Sequence, residues 1–225
     1  MPALPPILIS ALTGFFSGFL LSIPVGPVNL TIMNEGARQG FKWGVLIGLG
    51  ASAMEVIYCS IAFTGFASFF EQGVVKAAME LFSFLFMSFL GVKFLMVKSV
   101  PTVGRVGVRI EGKFHPHSAF MTGFVRVMGN PGVLLFWIIL AANFISREWV
   151  QPNLQSKSAC ILGVAAGTSL WFLGLSYAVS LGHRKFSETT LIRMERGSGI
   201  GLLVFALVHG CQIVSQMVKH AHDKI

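Results

Sequence analysis

Charge is what this sequence has least of. Only 12% of its 225 residues are Asp, Glu, Lys or Arg, against about 25% in average soluble domains. That leaves too little polar surface to cover a water-soluble globule of this size, which excludes a soluble enzyme and a disordered chain. Cysteine is scarce too. Cys59, Cys160 and Cys211 are an odd number, each lies inside an apolar run, and no Cys-x-x-Cys occurs. A disulfide-stapled secreted domain is thereby excluded, and the thiols read as small buried apolar groups. No Lys or Arg precedes the first apolar run. A secretory signal needs a basic stretch there, so that run is expected to stay as a helix. Alternation of period two is missing, which excludes barrel strands.

What is there is hydrophobic: 54% of residues, 21 of them Phe, with a mean hydropathy of +0.74. Six apolar runs stand out, at Ile7–Met33, Gly44–Phe70, Val74–Val97, Ser118–Ile145, Ala159–Gly182 and Gly199–Val218. Each is long enough to cross about 30 Å of hydrocarbon as a helix. The fold expected is therefore all-α, an integral membrane protein of six transmembrane helices. Residues 98–117, polar and basic, divide it into a first unit at 1–97 and a second at 118–225, three helices each. Three is odd, so the second unit enters the membrane from the opposite side. Related halves would make two inverted repeats, an arrangement common among secondary transporters. The net charge of +8 could suggest nucleic acid, but the basic residues sit in loops between apolar runs, where membrane topology puts them. Length leaves no room for a catalytic domain, and no metal or cofactor motif occurs. His115-Pro116-His117 has no third ligand nearby.

Pro24-Val25-Gly26-Pro27 interrupts the first run and is followed by Asn29, Thr31 and Asn34; Gly129-Asn130-Pro131-Gly132 interrupts the fourth. Proline removes a backbone donor and clashes with the preceding turn. In lipid such breaks are tolerated only inside protein or beside a watery cavity. Unwound half-helices also offer N–H groups to a carboxylate. Gly26, Pro27, Asn29, Asn130 and Pro131 are accordingly the candidate substrate-binding residues. Gly40, Gly44, Gly48 and Ser52, and Gly163 with Gly167, recur every four residues and read as helix-packing faces. Glu55 stands eleven residues into the second run, roughly 16 Å from its end. A charge near the bilayer centre costs about 2.5–3.5 kcal/mol, so it is the leading candidate for ion coupling. Arg126 is its candidate countercharge, and His209, mid-way along the last run, has a side chain suited to proton shuttling.

Together these segments resemble the LysE/RhtB family of amino-acid exporters. The resemblance rests on Pro24-Val25-Gly26-Pro27-Val28, on Asn34-Glu35-Gly36-Ala37-Arg38-Gln39-Gly40, and on Gly44, Gly48, Gly50 to Glu55 and Tyr58. Phe120-Met121-Thr122-Gly123-Phe124 followed by Asn130-Pro131 matches the family's fourth helix. The family implies six helices and efflux of amino acids or related small metabolites across a bacterial inner membrane, driven by a proton or ion gradient. Two positions depart from it. Glu55 stands where the family usually has Asp, and Gly132 where it usually has Lys after Asn-Pro.

The function expected is secondary active export of a small zwitterionic metabolite, not catalysis. The partners are a small-molecule substrate and the lipid bilayer, with a homodimer left open and no nucleic acid. A metal-ion or other small-solute exporter is one alternative. A membrane thiol-disulfide electron carrier using Cys59 and Cys160, on corresponding second helices, is another. Orientation follows from basic residues. Arg38, Lys42, Lys98, Arg105, Arg109, Lys113, Arg184, Lys185, Arg193 and Arg196 fall on one side; Lys76, Arg147, Lys157, Lys219 and Lys224 fall on the other. The richer set should be cytoplasmic and both termini outside. Impermeant labelling of terminal tags should reach both ends in intact cells; protection of both would reverse the topology.

Overall fold

A computed structural model of the chain describes residues 4–65, 73–98, 118–181 and 188–222. All regular structure among them is helical: α1 (Pro6–Ser22), α2 (Pro27–Gln39), α3 (Phe41–Gly65), α4 (Gly73–Leu95), α5 (Ala119–Met128), α6 (Pro131–Ser146), α7 (Leu154–Ser180) and α8 (Glu188–His222). Residues 99–117, nearly all of the expected linker and its two histidines, lie outside the described residues. Helices α3 and α7 are each long and apolar enough to cross a membrane. The pairs α1–α2 and α5–α6 qualify when each is taken as one bent span, which makes up to four spans among the described residues.

The two prolines do more than kink a helix. Pro27 and Pro131 each open a new helix, and the axes on either side differ by 69° and 68°. At a first helical position the missing N–H has no intrahelical partner to lose, and the ring pre-sets φ. Gly40 also departs from the sequence expectation. It does not continue the face of Gly44 and Gly48 but makes the turn between α2 and α3, at φ +93° and ψ 176°, a conformation open essentially to glycine alone. The last helix begins eleven residues before the expected apolar run and carries Arg193, Glu195 and Arg196 in its first turns.

Small residues set how the helices meet. Ser10, Gly14, Gly18 and Ser22 form one buried face of α1. Gly14 lies against the backbone of Cys160 and Gly18 against Val164, while Gly163 and Gly167 of α7 lie against Ala11 and Phe15. Numbers rise together on both sides, so α1 and α7 run parallel, although they are far apart in the chain. Gly50 meets Phe120 and Phe124 of α5, and Gly123 meets Ile47 and Ala51 of α3. Gly91 of α4 meets Gly199 of α8 while Gly210 meets Phe84, an antiparallel pair. Without side chains between them, backbones approach closely enough for dispersion contacts along their length.

The core is mainly apolar, built around Ile32, Ile47, Phe63, Trp137 and Phe144, but polar side chains are buried within it and large apolar ones cover the outside. Ser10, Ser22, Asn29, Thr31, Ser52, Asn143, Ser156, Thr168, Ser176 and Glu195 are buried. Leu12, Phe16 and Leu20 of α1, Leu49, Ile57 and Ile61 of α3, Phe82, Leu85 and Phe89 of α4, and Leu162, Leu170 and Leu173 of α7 are exposed. Apolar surface on this scale is stable where the solvent is itself apolar.

Gly163→Ala would drive a methyl group into the Ala11 carbonyl. It should cost about 1–3 kcal/mol, as overpacking does. Gly174→Ala, with open space around the new carbon, should be neutral. Thermal unfolding in detergent compares the two.

Candidate functional site

The break between α1 and α2 begins as a shortage of donors. Pro24 and Pro27 have no N–H to return to the last carbonyls of α1. Asn29, in the first turn of α2, supplies them from its side chain. Its Nδ2 donates to the Ser22 carbonyl at 2.8 Å and to the Pro24 carbonyl at 2.7 Å. Its Oδ1 accepts from Trp171 Nε1 of α7 at 3.2 Å. The Gly26 N–H closes a tight turn onto Pro24 O at 2.8 Å. The Val25 N–H is used elsewhere. It donates to Oε2 of Glu195 at 2.7 Å, and both residues are almost fully buried.

The break between α5 and α6 occupies the corresponding place with different chemistry. Asn130 caps α6, its Oδ1 accepting the Gly132 N–H at 3.2 Å. The last residue of α5, Met128, presents its carbonyl to the Tyr58 hydroxyl of α3, which donates at 3.0 Å. Tyr58 follows Gly50, and Trp171 follows Gly163, at the same spacing of eight residues. Each long apolar helix thus sends one aromatic donor to the opposite break. Asn130, Pro131 and Gly132 are exposed, whereas Asn29 is buried.

Glu55 lies three residues before Tyr58 on α3, hence on a neighbouring part of the same face. It is partly buried and enters none of the hydrogen bonds or ion pairs found among the described residues. The contacts of Gly50 with Phe120 and Phe124, and of Tyr58 with Met128, place Arg126 level with Glu55 across the α3–α5 contact. The structure brings Gly26, Pro27 and Asn29 together at the first break, and Asn130 and Pro131 together at the second. His209 lies on α8, about 21 Å along the helix from Glu195; its side chain is outside the described residues. Cys59 and Cys160 are free thiols, both fully buried, and Cys59 is within electrostatic reach of both Cys160 and Glu55. No cluster of three His, Cys, Asp or Glu occurs among the described residues.

Sequence reasoning missed Glu195 and Trp171. Glu195 was hidden by its neighbours, because Arg193 and Arg196 mark the stretch as a basic loop. The signal was its position four residues before Gly199: extended one turn upstream, the packed face of α8 carries Glu195 inward. Trp171 gave no sign beyond being an aromatic in an apolar helix.

A helical bundle that is apolar outside, holds polar side chains within its core and is broken at two corresponding places has the build of a membrane transport protein. The comparisons agree. The LysE type translocator model matches residues 19–212, and the chain belongs to that family. A relative from Bacillus subtilis (strain 168), named "Putative amino acid efflux protein YcgF", is 26% identical over 201 residues, covering 89% of this chain and 95% of its own. No solved structure matches.

Asn29→Asp keeps the shape but removes the donors. It should cost about 1–3 kcal/mol for the Ser22 carbonyl left unpaired, while Pro24 O keeps the Gly26 N–H. Trp171→Phe, which removes a single neutral bond, should cost about 1 kcal/mol. Unfolding midpoints in one detergent rank the two.

Proposed function

We propose that this LysE type translocator exports amino acids or related small zwitterionic metabolites across the bacterial inner membrane, coupled to protons or another ion. The observation that carries this reading is the pair of breaks, bent by 69° and 68°, each served by an aromatic donor from the long helix opposite. A zwitterion needs donors for its carboxylate and an acceptor for its amine. Broken helices supply the first, and a carboxylate on the same level supplies the second.

In this reading the chain makes six crossings in two inverted three-helix repeats, with α1–α2 and α5–α6 each one span. The parallel course of α1 and α7 supports it, since first and fifth crossings run the same way. Gly26, Pro27, Asn130 and Pro131 form the substrate contacts. Asn29, whose donors are committed to Ser22 and Pro24, shapes the first break. Glu55 takes the coupling ion or the substrate amine, with Arg126 level with it, and His209 is a further proton carrier. Gly132, with no side chain to bring a charge to the second break, leaves that break open to neutral zwitterions.

Proteoliposomes holding the purified protein should take up labelled amino acids when a pH gradient is imposed, and Glu55→Gln should lose the dependence on that gradient. Uptake in Glu55→Gln that still follows the gradient would remove Glu55 from coupling. Absence of amino-acid uptake by folded protein would turn the search to other small solutes. A thiol-disulfide carrier requires Cys59 and Cys160; undiminished uptake after both are exchanged for Ala would dismiss it.

A further inference from the structure

The proposed function gives no task to Glu195. It is a carboxylate 3% exposed, on a helix otherwise far from the breaks in sequence, and it holds the Val25 N–H at 2.7 Å. That N–H belongs to the four-residue segment between α1 and α2, which has little else to fix it. Pro24 and Pro27 donate nothing, and the Gly26 N–H is spent locally on Pro24. On one side Asn29 holds the carbonyls, and through Trp171 it ties them to α7. On the other side the Glu195 bond ties the segment to α8. A bond to an ionised carboxylate is about twice as strong as a neutral one. Its strength therefore depends on whether Glu195 carries a proton, whereas the Asn29 and Trp171 bonds are independent of pH.

The charged groups around Glu195 are few. Lys93 of α4 acts on it electrostatically, and Arg193 and Arg196 are its neighbours on α8. The Arg196 guanidinium is committed to the Val97 carbonyl at 3.1 and 3.3 Å. Helix α1 has no ionisable residue. On α2, Glu35 and Arg38 pair with each other at 3.7 Å, two turns from the break.

We propose that Glu195 is a proton-released latch on the first break. While ionised it clamps the Val25 N–H and holds α8 against the segment. When it takes up a proton the clamp weakens, α8 and the break part, and the freed N–H becomes a donor for the carboxylate of the transported substrate. Glu195 is thus a positioning residue, acting through the backbone of Val25, and it is a second ionisable group beside Glu55 in the transport cycle. The last clause of the cycle, delivery of the N–H to substrate, rests on the proposed function; the latch itself does not.

Gly26→Cys provides a reporter, because a Cβ there meets only the Pro24 carbonyl, at 4.0 Å. It is made with Cys211→Ser, which removes the exposed native thiol. Maleimide labelling of this protein in proteoliposomes should accelerate at least about tenfold when Glu195→Gln is added, the change expected from losing one charge-assisted bond. Divided by the rate of the same protein unfolded at the same pH, which carries the ordinary loss of thiolate in acid, labelling should accelerate likewise on acidification when Glu195 is present, and show no such acceleration in Glu195→Gln. The acid arm needs no substitution at Glu195, so a folding defect in Glu195→Gln does not blunt the test. Equal rates at high and low pH after that division, with Glu195 in place, would overturn the latch. Uptake assays on parallel vesicles that hold the protein with its native Gly26 and Cys211 separate the two readings. Acid-dependent labelling without uptake of any amino acid would leave the latch standing and sink amino-acid export. Uptake whose half-saturating concentration and pH profile are the same in wild type and Glu195→Gln would sink the latch alone.

Discussion

An unpaired backbone carbonyl in an apolar bundle costs a few kcal/mol, and the architecture of this protein follows from having to pair those left at two helix breaks. At the first break the donor is the side chain of Asn29, steadied by Trp171. At the second it is Tyr58, reaching across from α3. Both solutions draw a long, straight helix against a broken one. The contact is close because Gly163 and Gly50 sit on those same helices, eight residues before the aromatic donors. Packing and pairing are thus one device: glycine brings the backbones together, and the aromatic two turns later uses the proximity.

The two breaks match in position and differ in chemistry, and the difference is informative. The first is sealed, with its asparagine buried and the Val25 N–H held by a buried carboxylate. The second is exposed at Asn130, Pro131 and Gly132. The first break is thus fixed by partners within the protein, whereas the second keeps its capping residues at the surface.

The long elements of this fold were legible in the sequence because apolar runs have only helices open to them in lipid. Helices α3, α4 and α7 fall within a few residues of their expected bounds. Both proline breaks were legible as well, since proline acts through its own covalent geometry. Illegible features depended on partners far along the chain. Asn29 reads as a candidate substrate-binding residue, and nothing in the sequence shows that Ser22, Pro24 and Trp171 share its side chain. Glu195 reads as one charge in a basic loop, because hydropathy ends a span where charges begin, while a helix ends only where its hydrogen bonds do. Gly40 reads as part of a four-residue packing pattern, yet it makes the turn, because spacing cannot distinguish a glycine needed for closeness from one needed for its φ.

The parallel seam between α1 and α7 bears on how the chain is made. Gly14 and Gly18 find their partners at Cys160 and Val164, some 146 residues downstream. At ordinary elongation rates that stretch takes on the order of ten seconds to emerge from the ribosome. Throughout that interval the first helix presents its glycine groove to lipid or to the insertion machinery, with no mate yet synthesised. Assembly of this protein is therefore a closure around α1 that waits until α7 has been made.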